Sequence, residues 1–241
     1  MRKAIYQIDN LPEHGYGNST RGLKTSEAQR SYTMPSVERY ASRIGADYIV
    51  IKSLPPEAER IKHHYSKSVF SKIFLFRRLL ESNYDKFLFI DCDFFAEDAA
   101  HDIFEDHEYG SSDFCICRSH PPREALCREH AERLFGEQIN NFYNSGFFLS
   151  NRSAAYKINK AIPEAVVQGT YPTHGEKWLY NEAFFGYVLY KSKIQPYILD
   201  RSWNCKWDNN RKIPMPQRIK MTHYIGNPGK LKIIELDKNR Q

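Results

Sequence analysis

The stretch YDKFLFIDCDFF, residues 84–95, decides how this chain is read. Phe87, Leu88, Phe89 and Ile90 form an unbroken apolar run, and Asp91 and Asp93 follow it one residue apart. A short apolar run closed by polar residues reads as a strand buried on both faces, the pattern of a central strand in a parallel sheet. In extended chain the side chains at i and i+2 point the same way. Asp91 and Asp93 are therefore expected on one face, with Cys92 turned away. In open parallel sheets, ligands gather beyond the carboxyl ends of the strands. Two carboxylates there repel each other, and a divalent cation would relieve the repulsion while leaving positions for water or phosphate. A solvent-exposed strand end, with Asp93 capping a following helix, gives the same letters, and so short a motif also arises by chance.

The segments before this strand set its context. Residues 67–84, KSVFSKIFLFRRLLESNY, place Phe70, Ile73, Phe74, the stem of Arg77 and Leu80 at helical spacing. Residues 36–52, SVERYASRIGADYIVIK, read as a helix stopped at Gly45 and a strand from Asp47 to Ile51. Ala4 to Ile8 read as a first strand, ending at Asp9-Asn10. Residues 11–36, polar and carrying Gly15 and Gly17, read as a long loop, a lid over a ligand if functional. The order strand, helix, strand, helix, strand gives an α/β class with a parallel sheet flanked by helices. Further on, strands are expected in DFCICRS (113–119), NNFYNSGFFLSN (140–151) and RIKMTHYIGN (218–227). Helices are expected in NRSAAYKINKAIPEAV (151–166) and EKWLYNEAFFGYVLYKS (176–192). With no internal repeat, low-complexity tract or linker, residues 1–241 read as a single domain.

The bulk composition narrows the classes. Hydrophobic residues make up 41% and aromatics 14%, which argues against disorder. The net charge of +6 comes from scattered Lys and Arg, which suits an anionic ligand and gives no basic stripe for nucleic acid. The cysteines, Cys92, Cys115, Cys117, Cys127 and Cys205, are odd in number and match no zinc spacing. They read as reduced thiols in a cytoplasmic setting. No apolar leader opens the sequence, and no run approaches the ~18 apolar residues of a membrane span. Without a leader, the sequons at Asn18 and Asn151 read as chance.

At this point a resemblance enters. YDKFLFIDCDFF resembles the metal-binding Asp-x-Asp element of GT-A glycosyltransferases. FYNSGFFLSN (142–151) is similar to their Asn-Ser-Gly strand, that of glycosyltransferase family 8 in particular. KMTHYIGNPGK (220–230) resembles that family's closing segment, where a His ligates the metal and a Lys meets the diphosphate. The three occur in the family's order and extend the likeness from the first strand to Lys230. Two elements depart from the pattern. The Lys-Pro-Trp usual after the late His is absent from GNPGKLK, and Asn181-Glu182 stands where an acidic-Gln-Asp element is usual.

The resemblance implies a GT-A, Rossmann-like domain that moves a sugar from a nucleotide-diphosphate sugar, a UDP-sugar foremost, to a glycan or other hydroxyl acceptor, with retention favoured. Manganese, or magnesium, would be held by Asp91, Asp93 and His223, the imidazole tilting the preference toward manganese. Lys230 would meet the diphosphate, Lys72 would lie near the donor, and Asp9, Asn10 and Tyr6 would hold the uracil and ribose, with Asp91 also touching the ribose. Asn144 would lie near the donor sugar, with Gly146 letting the backbone come close. Glu182, a lone acid among apolar neighbours, would act as a base or orient the sugar. His174 would line the acceptor site, and Trp178, Trp203 and Trp207 are either sugar-stacking rings or core. Two other readings stand beside this one: a sugar-phosphate nucleotidylyltransferase, whose Gly-rich first loop residues 9–22 do not match, and a non-catalytic glycan binder of the same fold.

Overall fold

In the computed structural model, which describes residues 1–9, 20–53, 71–119, 121–168, 177–207 and 216–239, the acidic stretch lies where two sheets meet. The strands are β1 (Lys3–Ile8), β2 (Asp47–Ile51), β3 (Lys86–Ile90), β4 (Phe94–Ala96), β5 (Phe114–Arg118), β6 (Tyr143–Asn151), β7 (Tyr197–Ile198), β8 (Cys205–Lys206) and β9 (Met221–His223). The described α-helices are α1 (Thr20–Ala28), α2 (Met34–Arg43), α3 (Leu75–Glu81), α4 (Pro121–Phe135), α5 (Arg152–Gln168), α6 (Lys177–Lys191) and α7 (Gly226–Lys238). The main sheet has six strands in the order β2-β1-β3-β6-β5-β7, and β4-β9-β8 form a smaller sheet. In the main sheet β6 alone runs against the other five strands, so the expected mostly parallel sheet flanked by helices is what the chain forms.

Strand β3 lies between β1 and β6, and its apolar run is explained by burial on both faces. Phe87 and Phe89 enter one core with Leu75, Phe76 and Leu79 of α3, Ala155 and Ile158 of α5 and Phe185 of α6. Leu88 and Ile90 enter the other, with Val37 and Tyr40 of α2, Phe94 of β4 and Trp203. Alternation along one strand thus feeds two layers, the basis of a three-layer α/β fold. Arg152, at the start of α5, donates to the carbonyls of Leu79, Leu80, Ser82 and Tyr84, closing the C-terminal end of α3. The sequon residue Asn151 accepts from the Ala154 N–H at 2.9 Å and so caps α5. Gly45 ends the α2 turn at φ 65°, a left-handed conformation that glycine adopts without penalty.

Four expectations are corrected. Residues 11–36 are not one loop: from Thr20 onward the chain is α1, then a π-helical turn over Gln29–Thr33, then α2. Asp91 and Asp93 are not on extended strand, because β3 stops at Ile90 and the Phe94 N–H donates to the Asp91 carbonyl at 3.2 Å, folding the pair into a turn. Of the face expected for this helix, Phe74 is buried, Phe70 and the Ile73 side chain lie outside the described residues, and the rest is shifted. Leu75, Phe76 and Leu79 are buried while Arg77 and Arg78 are exposed, since a 3-10 turn at Ser71–Phe74 changes the phase before the α-helix begins. The late segment from Gly226, expected to extend a strand, is helix α7. All five cysteines are buried free thiols, and no described helix is long and apolar enough to cross a membrane.

Candidate active site

The turn from β3 to β4 hands Asp91 and Asp93 to different neighbours. Gly146 on β6 accepts the Asp91 N–H at 2.8 Å, which fixes the backbone of the turn against the sheet. A Cβ at Gly146 would lie 2.7 Å from Asp91 Oδ2 and 3.2 Å from the Phe94 ring, so glycine is required for this close approach. Gln7 of β1 donates to the Asp91 carbonyl at 3.1 Å and itself accepts from the Tyr48 hydroxyl at 2.6 Å. The Asp91 carboxylate faces Lys72, whose Nζ lies 3.1 and 3.2 Å from its two oxygens. Lys72, on the turn before α3, is 5% exposed and also lies over the Phe89 ring. Burial and the neighbouring Asp93 push the Asp91 carboxyl up from its ordinary value, against the pull of Lys72 and His223.

Asp93 has a different environment. Its Oδ1 is buried and accepts no well-aligned hydrogen bond from a described residue, although His223 Nε2 of β9 stands 3.3 Å away. Burial alone would raise this carboxyl; His223, Lys230 and Lys72 outweigh it and hold it below the usual carboxylate range. The His223 ring stacks on Phe94 at 4.0 Å, and its Nδ1 is 2.8 Å from Asn204 Oδ1. Asn204 Nδ2 donates to Asn144 Oδ1 at 3.0 Å, and the Gly146 N–H donates to that same oxygen at 3.1 Å. The main sheet and the small sheet are thereby joined through side chains beside the acidic turn.

Around this centre, Asp9 is held in two bonds by Arg30 of the π-helical turn, at 2.8 and 3.1 Å. The same turn donates from Thr33 Oγ1 to the Cys92 carbonyl. Tyr32 stacks on Phe95 at 4.9 Å. Helix α7 places Lys230 near enough for its charge to act on Asp93. Glu182 is a buried residue of α6, not a surface one; it accepts from the Ser119 hydroxyl and has Cys127 Sγ 3.9 Å away. Ser119 follows β5 at Arg118, and its N–H donates to Phe142, just before β6. Cys117 on β5 pairs with Asn144 and belongs to the core of Trp203, whereas Cys127 and the α6 residues Ala183, Phe184 and Phe185 belong to the other core.

Some expected residues fall elsewhere. Tyr6 is packed in the core, its ring edge-to-face with Phe87 at a centroid separation of 5.6 Å. Burial raises its hydroxyl to about 12, and the charged and phenolic groups that act on it, Tyr84, Arg78 and Asp47, belong to the opposite end of the strands. Tyr6 is thus placed among the core side chains. Trp203 is fully buried core, and Trp207 stacks with Tyr224 at 6.1 Å. Asn10, His174 and the Trp178 side chain lie outside the described residues. No motif marks Gln7, Arg30, Ser119 or Asn204; only the fold brings Gln7 to the Asp91 carbonyl, Arg30 to Asp9, Ser119 to Glu182 and Asn204 to His223.

Among the described residues, no group of three or more His, Cys, Asp or Glu is placed to hold a metal ion as it stands. Asp91 is engaged by Lys72 instead. The donor chemistry still suits a divalent cation: two carboxylates, one imidazole, and a buried anionic oxygen at Asp93 without a well-aligned hydrogen bond from a described residue.

No protein-family model matches the sequence, and no curated protein matches it. Solved structures do. One is a glycosyltransferase involved in glycosylation of the major capsid of PBCV-1, at 15% identity and TM-score 0.61, covering 99% of this chain and 100% of that one. A second is the galactosyltransferase LgtC in complex with donor and acceptor sugar analogs, at 14% identity and TM-score 0.58, covering 98% and 95%. A third is mouse xyloside xylosyltransferase 1, at 13% identity and TM-score 0.55, covering 92% and 97%. At such identities the likeness is one of fold, and it spans nearly all of each partner. The chain has the GT-A-like fold of these glycosyltransferases.

Proposed function

We propose that this chain, as one catalytic domain over residues 1–241, transfers a sugar from a nucleotide-diphosphate sugar to a hydroxyl acceptor. The observation that carries the reading is the Asp93 Oδ1, buried beside His223 and near Asp91 and Lys72 after a central strand, with no well-aligned hydrogen bond from a described residue. Asp91, Asp93 and His223 would hold manganese or magnesium, after Asp91 exchanges part of its contact with Lys72 for the ion. A bound divalent ion would act as a Lewis acid for the charge that develops on a departing diphosphate.

The protein's own groups have separable tasks. Lys230 and Lys72 add fixed positive charge where the leaving group gathers negative charge. Asp9, oriented by Arg30, presents its carboxylate to the nucleoside hydroxyls or base. Asn144 has committed its carbonyl end to Gly146 and Asn204, so it would meet the donor sugar through Nδ2. Glu182, with one oxygen on Ser119, orients the donor sugar and balances positive charge at its anomeric carbon. Retention is favoured, with the departing phosphate oxygen taking the acceptor proton. A UDP-sugar is the favoured donor.

The test is donor hydrolysis with UDP-, GDP- and dTDP-sugars in manganese, with Asp93→Asn alongside. Turnover of at least one donor, lost by more than ~100-fold in Asp93→Asn with the fold intact, is expected. No turnover and no metal-dependent nucleotide binding would sink the transferase reading in favour of a glycan binder of the same fold.

A further inference from the structure

The hydrogen-bond chain beside the acidic turn fixes the positions of protons. A main-chain N–H can only donate, so the Gly146 N–H identifies the Asn144 atom 3.1 Å away as the carbonyl oxygen. Asn204 bonds that same oxygen at 3.0 Å and must therefore present its NH2 to it. The other end of the Asn204 amide, its carbonyl, is then the atom 2.8 Å from His223 Nδ1. A carbonyl oxygen only accepts, so His223 Nδ1 carries a proton. Whenever the ring is neutral, Nε2 bears the lone pair, and that lone pair faces Asp93 Oδ1 at 3.3 Å. Stacking on Phe94 prevents the ring from turning out of this alignment without losing its packing.

We infer that Asn204 is a positioning residue that locks His223 as the Nδ1–H tautomer and aims Nε2 as a metal-ligating lone pair at Asp93. With the ring neutral, two acceptors face each other across 3.3 Å and repel, and either a proton on Nε2 or a bound cation relieves the repulsion. Asn204 sits on a single 3-10 turn, Arg201–Asn204, whose start is capped by Asp200 accepting the Ser202 N–H at 2.7 Å. The lock thus depends on a short element outside every motif around the site. The inference rests on reading His223 as a ligand, but its first test needs neither metal nor substrate.

Nitrogen-15 NMR of the histidine rings in the metal-free protein, at about pH 9 where an ordinary imidazole is neutral, reports which nitrogen keeps the proton. His223 is expected protonated at Nδ1, against the Nε2–H preference of a free histidine side chain. Protonation at Nε2 overturns the inference. In Asn204→Leu, checked by circular dichroism for an intact fold, the ring should change to Nε2–H and manganese alone should bind about 10–100-fold more weakly. A folded Asn204→Leu protein that keeps the Nδ1 proton and the parent manganese affinity also overturns it. Should Asn204→Leu fail to fold, the parent spectrum decides alone. A wild-type Nδ1–H signal in a protein that binds no manganese would leave the lock standing and count against the transferase reading.

Discussion

Lys72 Nζ lies 3.1 Å from Asp91 Oδ2 and 3.2 Å from Oδ1, so a buried ammonium bridges both oxygens of the first acid in the turn. The lysine side chain is 7% exposed and the aspartate 35%. Removing the cation from such a pair leaves a charge that water reaches only in part. Lys72→Met is expected to destabilise the fold by about 1–3 kcal/mol, below the range for fully buried pairs because Asp91 retains solvent contact. Adding Asp91→Asn should recover part of that loss. Urea unfolding of the two single variants and the double variant checks it, and strictly additive losses would show that the pair is uncoupled.

Gly146→Ala introduces a methyl group 2.7 Å from Asp91 Oδ2. The carboxylate can swing away more easily than the sheet can move, so the stability loss should stay near about 1 kcal/mol. Manganese-dependent UDP binding should fall by about tenfold or more, since a ligand has been displaced from its place. Calorimetric titration against an unfolding curve separates the two effects; an unchanged affinity would remove Asp91 from the site.

Arg30→Ala tests the clamp on Asp9. The arginine is 42% exposed, so the pair itself adds little, about 0.5 kcal/mol, to stability. Its effect is expected on nucleotide affinity, a loss of about 3–10-fold in UDP binding with unfolding midpoints nearly unchanged. If Asp9 has no part in nucleotide binding, Arg30→Ala will bind UDP as the parent does.

Asp200→Ala removes the cap of the turn that carries Asn204 and should cost about 1 kcal/mol at neutral pH. Burial would raise the Asp200 carboxyl, but bonds from Ser202 and the Lys220 ammonium outweigh it and hold it below the usual range. A carboxyl depressed in the folded state stabilises above its unfolded value, about 3.9, and loses that contribution as pH falls through the folded value. The gap between Asp200→Ala and the parent is therefore expected to be constant from neutral pH down to about pH 5 and to close on further acidification. Unfolding curves at several pH values measure it, and a gap that widens in acid would contradict the assignment.

The sequence by itself determined the main-sheet strands β1, β2, β3, β5 and β6 and the place of the acids after β3. Strand β3 announced itself because burial on both faces demands an unbroken apolar run. The alternation and spacing of β2, β5 and β6 were legible for the same local reason. Helix α4 left only a faint signal, since Cys127 and Ala131, the buried residues among its described side chains, are small and give little apolar contrast. The π-helical turn at Gln29–Thr33 was hidden by polar letters whose bonds run to Asp9 and Cys92, far along the chain or at a strand end. Only the tertiary structure decided that Lys72 meets Asp91, that Tyr6 belongs to the core, and that Asn204 stands between Asn144 and His223. The physical reason is range. Burial and backbone pairing leave periodic marks in neighbouring residues, whereas a hydrogen bond between residues 60 apart imposes no pattern on the letters around either one.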